Sequence, residues 1–163
     1  MDFLPNSSKL YNSTCAFLHF TFIQISASDV FLDIGCGDGR VCYSVTLRTG
    51  AASLGVDYSE ELISKARVYA SINAESTTPI ENKILPEVIT AGSTTYVCGD
   101  IRDLDLMAQL IRRASVIFVF MLPAANEYIA DLIAQHARPG TRVVSHLFTF
   151  AHPALGLVRS SVD

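Results

Sequence analysis

The apolar run Val30–Ile34 breaks abruptly into three glycines in Asp33-Ile34-Gly35-Cys36-Gly37-Asp38-Gly39-Arg40, and this junction constrains the chain more than any other feature. Glycines after a strand let the backbone turn sharply and let a ligand approach the main chain with no Cβ in the way. A glycine-rich turn alone is weak evidence, because an ordinary tight βα turn can look the same. Similar apolar runs recur at 54–56, 95–98, 116–121 and 142–148, which makes five expected buried strands. Between them lie residues at helical spacing: Leu62, Ile63, Ala66, Tyr69 and Ala70, then Leu104, Met107, Ala108 and Ile111, then Ile129, Leu132, Ile133 and His136. Ser59 can cap a helix whose first turn carries Glu60 and Glu61, and Pro139-Gly140 closes another after Arg138. Repeated βα units without hairpin signals predict a parallel sheet covered on both faces. Right-handed crossovers then favour a doubly wound α/β fold of strand order 3-2-1-4-5, with the ligand crevice at the carboxyl ends of strands 1 and 4.

The chain has 163 residues, enough for one such domain and too few for two. Half of it is apolar and 17% is charged, which excludes wholesale disorder. A net charge of -4 with no run of Lys or Arg leaves no electrostatic footprint for nucleic acid. The most apolar stretches, 15–27 and 116–125, are shorter than the roughly 20 residues that cross a bilayer, so no membrane span is expected. Asp2 and Lys9 cancel where a secretory signal would be basic. Cys15, Cys36, Cys42 and Cys98 show no C-x-x-C spacing and suit reduced thiols, so a cytoplasmic location is expected, with the nucleus as the other reducing compartment. We divide the chain into an N-terminal helical segment packed on the domain (1–28), the α/β domain (29–150) and a tail (151–163). The polar stretch 73–94, with Pro79, Pro86 and Gly92, reads as an insertion loop holding a short helix near 82–89.

Asp57 sharpens the glycine signal. It ends the second strand, 22 residues beyond Gly35, where a carboxylate can accept from both hydroxyls of a ribose. A nucleoside-containing cofactor follows. Dinucleotide folds use G-x-G-x-x-G, whereas this loop is G-x-G-x-G with Arg40 at the place of the third glycine. Asp38 would repel a pyrophosphate and favour a ligand bearing an ammonium and a sulfonium. S-adenosylmethionine fits this loop and NAD fits it poorly.

From about residue 30 to 148 the sequence resembles the class I S-adenosylmethionine-dependent methyltransferases, with a Rossmann-like domain. The matching pieces are the glycine loop, Leu54-Gly55-Val56-Asp57-Tyr58-Ser59 and Val97-Cys98-Gly99-Asp100-Ile101. The resemblance implies that Asp33 and the backbone of Gly35, Cys36, Gly37, Asp38 and Gly39 hold the methionine end. It places Asp57, with Tyr58 beside it, on the ribose, Asp100 on the adenine amino group, Ile101 against the ring, and Phe120 in the cofactor-binding set. Phe118-Val119-Phe120-Met121-Leu122-Pro123 and Gly140-Thr141-Arg142-Val143-Val144-Ser145-His146 are similar to a narrower group of small methyltransferases, protein-lysine methyltransferase-like members among them, such as those acting on the ATP synthase c subunit. The sequence departs from that group at Leu147, where an acidic residue is usual, in its long 73–94 loop and in its early stop.

The resemblance implies a methyl acceptor, a protein lysine in the narrower group, while a small metabolite stays open. Class I enzymes add a C-terminal hairpin that the residues after 148 cannot hold in full, so strand 5 is expected at an edge, open to homodimerisation. A truncated, non-catalytic cofactor- or partner-binding module is therefore the alternative function, and a nucleotide-dependent oxidoreductase a third. No essential base is assigned. Cys36 has no histidine nearby in sequence and is read as a fitting residue rather than a nucleophile. His146 and His152 lack a carboxylate or thiol at ligand spacing, so no metal is expected. His146, at the carboxyl end of strand 5, is a candidate for substrate positioning, and His136 for a core or helix-terminus role.

Overall fold

The computed structural model describes residues 24–73, 90–146, 152, 153 and 155. Nine elements alternate along them: β1 (Val30–Ile34), α1 (Arg40–Thr49), β2 (Ala52–Asp57), α2 (Glu60–Asn73), β3 (Thr94–Cys98), α3 (Leu104–Arg113), β4 (Val116–Val119), α4 (Pro123–His136) and β5 (Arg142–Ser145). The five strands are parallel in the order β3-β2-β1-β4-β5, the order expected from the sequence. Winding reverses between β1 and β4, and the carboxyl ends of the strands there are where folds of this topology take their ligands.

Because β-strand side chains alternate, β1 sends Leu32 and Ile34 to one face and Phe31 and Asp33 to the other. The first face carries Leu54, Val56, Val97, Ile117 and Val119 and is covered by Met107, Leu110 and Ile111 of α3 and Ile129, Leu132 and Ile133 of α4. The second carries Phe31, Tyr96, Val116, Phe118 and Val144 and packs on Cys42 and Val45 of α1 and Ile63, Ala66 and Ala70 of α2. Phe31 and Phe118 stack there with ring centroids 6.3 Å apart.

At the amino ends of the strands a polar clasp closes the sheet. The Ser115 hydroxyl donates to Asp29 Oδ1 at 2.8 Å, the Val30 amide donates to Ser115 Oγ at 3.0 Å, and Arg142 pairs with the same Asp29 carboxylate. Burial opposes ionisation of Asp29, but hydrogen bonds from Ser26 and Ser115, with Arg142 alongside, hold its carboxyl below the ordinary value.

Several expectations change. β4 stops at Val119 rather than residue 121, because Val119 is the last residue paired with both Ile34 and Ser145. β2 is longer than the apolar run 54–56, since Ser53 is buried in the strand and its hydroxyl is satisfied by Thr46. Leu104 leaves the core stripe of α3: it is the first helical residue and stands exposed, while Leu106 and Leu110 are buried. Residues 24–28 form turns rather than the end of a helix. Cys15, the rest of the expected N-terminal helix, the expected helix near 82–89, and residues 147 and 148 lie outside the described residues.

Candidate functional site

The glycine loop is drawn tightly over the end of β2. The amides of Gly35 and Cys36 both donate to the Val56 carbonyl, at 2.8 and 3.0 Å, and the Gly39 amide closes the turn onto the Cys36 carbonyl at 3.0 Å. Gly35, Gly37 and Gly39 all have positive φ, and Gly39 at +75° is the residue from which α1 starts. Above Gly37 a Cβ would meet nothing within 4 Å, so that part of the loop faces open space. At Gly39 a Cβ would lie 2.5 Å from the Tyr96 ring and 2.7 Å from Ala66 Cβ. Gly39 thus does the close helix–strand packing that a dinucleotide fold assigns one residue later.

Tyr96 is the supporting residue that sequence reading missed. Its ring is buried under the loop and its hydroxyl donates to the Gly39 carbonyl at 3.0 Å. Burial pushes its pKa well up, so it stays a neutral donor. An aromatic residue inside an apolar strand gave no signal of this contact, which spans 57 residues.

The acidic residues of the sequence reading come to this rim in different states. Asp57 ends β2 and ties the loop after β1 to the turn before α2, accepting from the Gly37 amide at 3.0 Å and the Ser59 amide at 2.9 Å. Ser59 caps α2 as expected, its Oγ accepting from the Leu62 amide at 3.3 Å. Asp33 is buried below the loop, with the Cys42 thiol 4.0 Å from its Oδ2. Burial first, and then the Asp57 charge, push its pKa up to about 7. Asp38, expected from the sequence to repel a pyrophosphate, has its charge paired within the loop. Arg40, two residues on, grips it in a fork with contacts of 2.9 and 2.5 Å, and those hydrogen bonds hold its carboxyl below the ordinary range.

Asp100 repeats that arrangement. Arg102 grips both of its oxygens at 3.0 and 2.5 Å, its amide adds a bond at 2.9 Å, and the side-chain bonds lower the carboxyl to about 2. Helix α3 is capped by Asp103, whose carboxylate accepts from the Leu106 amide. Ile101 is part-buried against the α3–α4 face of the core.

Burial pushes the thiols of Cys36 and Cys42 well above their ordinary values, which leaves neither a ready nucleophile. Tyr58 is 81% exposed beyond β2. Phe120 is half-exposed just past β4, edge-on to His146 with centroids 5.1 Å apart, so the structure brings His146 to the rim. Met121, part of the stretch after β4 that carries the narrower resemblance, lies 3.4 Å by its sulfur from where a Gly35 Cβ would be. His152 does have a carboxylate neighbour in space, its Nε2 lying 3.1 Å from Asp131 of α4, which sequence spacing did not reveal. His136, part-exposed, ends α4 beside Arg112. Among the described residues no group of three or more His, Cys, Asp or Glu is arranged to hold a metal, and no helix is long and apolar enough to cross a membrane.

A parallel 3-2-1-4-5 sheet with a glycine loop after β1 and a carboxylate ending β2 defines a Rossmann-like methyltransferase fold. The family profile described as the ANTKMT methyltransferase domain matches residues 33–154, and the chain belongs to that family. A protein-lysine N-methyltransferase from Saccharolobus islandicus is 29% identical over 126 residues, which cover 77% of this chain and 66%, just under two thirds, of the archaeal protein. Among solved structures, an RNA methyltransferase from Salinibacter ruber in complex with S-adenosyl-L-homocysteine superposes with a TM-score of 0.62 at 24% identity, over 81% of this chain and 73% of that one. A magnesium protoporphyrin IX methyltransferase from Synechocystis with bound S-adenosylmethionine gives 0.51 at 18% identity, over 79% and 53%. At these identities the structural likeness is one of fold.

Proposed function

We propose that this domain methylates the side-chain amine of a protein lysine, with S-adenosylmethionine as the donor. The observation that carries the proposal is the Asp57 carboxylate, tied to the Gly37 and Ser59 amides at the carboxyl ends of β1 and β2 with lone pairs left for ribose hydroxyls. The open space over Gly37 lets the methionine part of the donor lie against bare backbone, above Asp33. In this reading Cys36, Asp38 and Gly39 complete that floor, Tyr58 flanks the ribose, Asp100 accepts from the adenine amino group, Ile101 lines the ring, and Phe120 closes the side toward β4. The family of the chain and the name of its archaeal relative support a lysine acceptor.

When bound, the donor supplies a methyl group on a sulfonium whose departure leaves a neutral thioether. The protein's own task is then alignment and exclusion of water more than proton transfer. A lysine attacks through its lone pair, and with an ordinary pKa of about 10.4 it must first lose a proton. Phe120 and Leu122, 49% and 72% exposed, offer apolar surface for the lysine stem. Drawing the ammonium out of water against that surface favours the neutral amine. His146, packed on the Phe120 ring, sets the position of that wall.

The test is transfer of labelled methyl from the donor into a proteome extract, with wild type and Asp57→Ala. We expect label in protein, recovered as methyllysine on hydrolysis, and at least a ~100-fold lower donor affinity in Asp57→Ala, since both the ribose contacts and the two amide bonds are lost. Label found only in small molecules would overturn the lysine acceptor. Donor binding without any transfer would make the domain a binding module.

A further inference from the structure

Asn126 is 3% exposed, and neither its amide nitrogen nor its amide oxygen has a hydrogen-bond partner. Native structures rarely keep a buried amide unpaired on both sides without a use for it, because the desolvation of each group goes uncompensated. The residue stands in the first turn of α4, its backbone amide donating to the Leu122 carbonyl at 3.0 Å. It precedes the buried Ile129 and Ala130 by three and four residues, which sets its side chain on the same inward face, one turn nearer the crevice. Ile101 and Met121, one after β3 and one after β4, are packed on the apolar layer that this face of α4 helps to form. The orphan amide therefore lies below the part of the rim that joins the two loops.

We infer that Asn126 reads the adenine ring of the cofactor, its oxygen accepting from the 6-amino group and its nitrogen donating to an adjacent ring nitrogen. The inference rests on the donor assignment above. An amide makes this two-bond match to adenine, whereas a carboxylate such as Asp100 can only accept. An acceptor amine would use the oxygen and leave the amide nitrogen unpaired, so the ring satisfies the site better than a lysine does. Because the amide is shielded from solvent, a side chain has to turn aside for the ring to reach it. Met121, unbranched and part-buried at the top of the same layer, is suited to that movement.

The test is a coupling measurement by isothermal titration of the full chain. S-adenosylhomocysteine and its purine analogue lacking the 6-amino group are compared on wild type, Asn126→Leu and, in case leucine does not fit, Asn126→Ala. Wild type is expected to lose about tenfold in affinity when the amino group is deleted, and at least about fivefold of that loss is expected to vanish in the variants, because the two partners of one bond are then removed together. Asn126→Leu is also expected to unfold at a higher temperature, the unpaired amide being gone. Additive losses in both variants overturn the inference. So does unchanged S-adenosylhomocysteine binding with a raised KM for the methyl acceptor, which would move Asn126 to the acceptor side. If wild type binds no S-adenosylhomocysteine, the donor assignment itself fails, whereas wild-type binding with additive losses defeats this inference alone.

Discussion

The two ends of the crevice rim are built differently. At the glycine end the loop amides are satisfied within the fold: Gly35 and Cys36 on Val56, Gly37 on Asp57, Gly39 on Cys36, with the Tyr96 hydroxyl on the Gly39 carbonyl below. At the β4–α4 end Phe120 and Leu122 stand exposed, Leu122 caps α4 without a side-chain bond, and Asn126 is buried with nothing to pair with. The first end is fixed before any ligand arrives. The second keeps exposed apolar surface and an unpaired buried amide, groups that only a ligand would satisfy, so in the proposed reading the ribose and methionine contacts are pre-organised while the adenine and acceptor contacts form on binding.

Three perturbations probe that difference, in falling order of size. Gly39→Val should be the most damaging, since its Cβ would press into Tyr96 and Ala66 at a φ that branched residues avoid. We expect a loss of roughly 5 kcal/mol in urea denaturation, and a loss below about 1 kcal/mol would show that the loop is not rigid.

Asp33→Asn comes next and acts through pH. The folded-state carboxyl is raised to about 7 from an unfolded value of 3.8, so wild type retains its stability below pH 3.8 and loses it as the pH rises through 7. Asparagine, which does not ionise, removes that dependence. The variant should match wild type near pH 4 and exceed it above pH 7 by on the order of 4 kcal/mol, read from denaturation curves across that window. Parallel pH profiles for the two proteins would mean that Asp33 is solvated or paired.

Phe120→Ala is the smallest. At the loose end it should, in the proposed reading, raise KM for the methyl acceptor about fivefold through lost apolar contact and weaken the donor, which it flanks on one side only, by about twofold. Equal losses in both would join the two ends into one site.

Much of the fold was legible because each buried parallel strand is a contiguous apolar run and crossover handedness leaves few orders to choose from. Hydropathy could not place the end of β4: Phe120 and Met121 are as apolar as the strand, yet they lie past the last pairs with β1 and β5 and belong to the rim. The loop and Asp57 were visible as a spacing, whereas the grip of Arg40 on Asp38 and of Arg102 on Asp100 depends on side-chain geometry that a two-residue spacing does not dictate. Asn126 did carry a signal, a polar residue three and four positions before the apolar pair Ile129 and Ala130. Tyr96 carried none, because what distinguishes it from any other strand aromatic is the pair of glycines it touches.

A Cβ at Gly55 would meet the Tyr96 ring at 2.8 Å, much as one at Gly39 would at 2.5 Å, so a single aromatic side chain fills the hollow beneath two bare backbones. Enlarging Gly39 would press on Ala66 as well as Tyr96, and enlarging Gly55 on Cys36 as well as Tyr96, so these five positions constrain one another and the height of the loop above the sheet changes only when several of them change together.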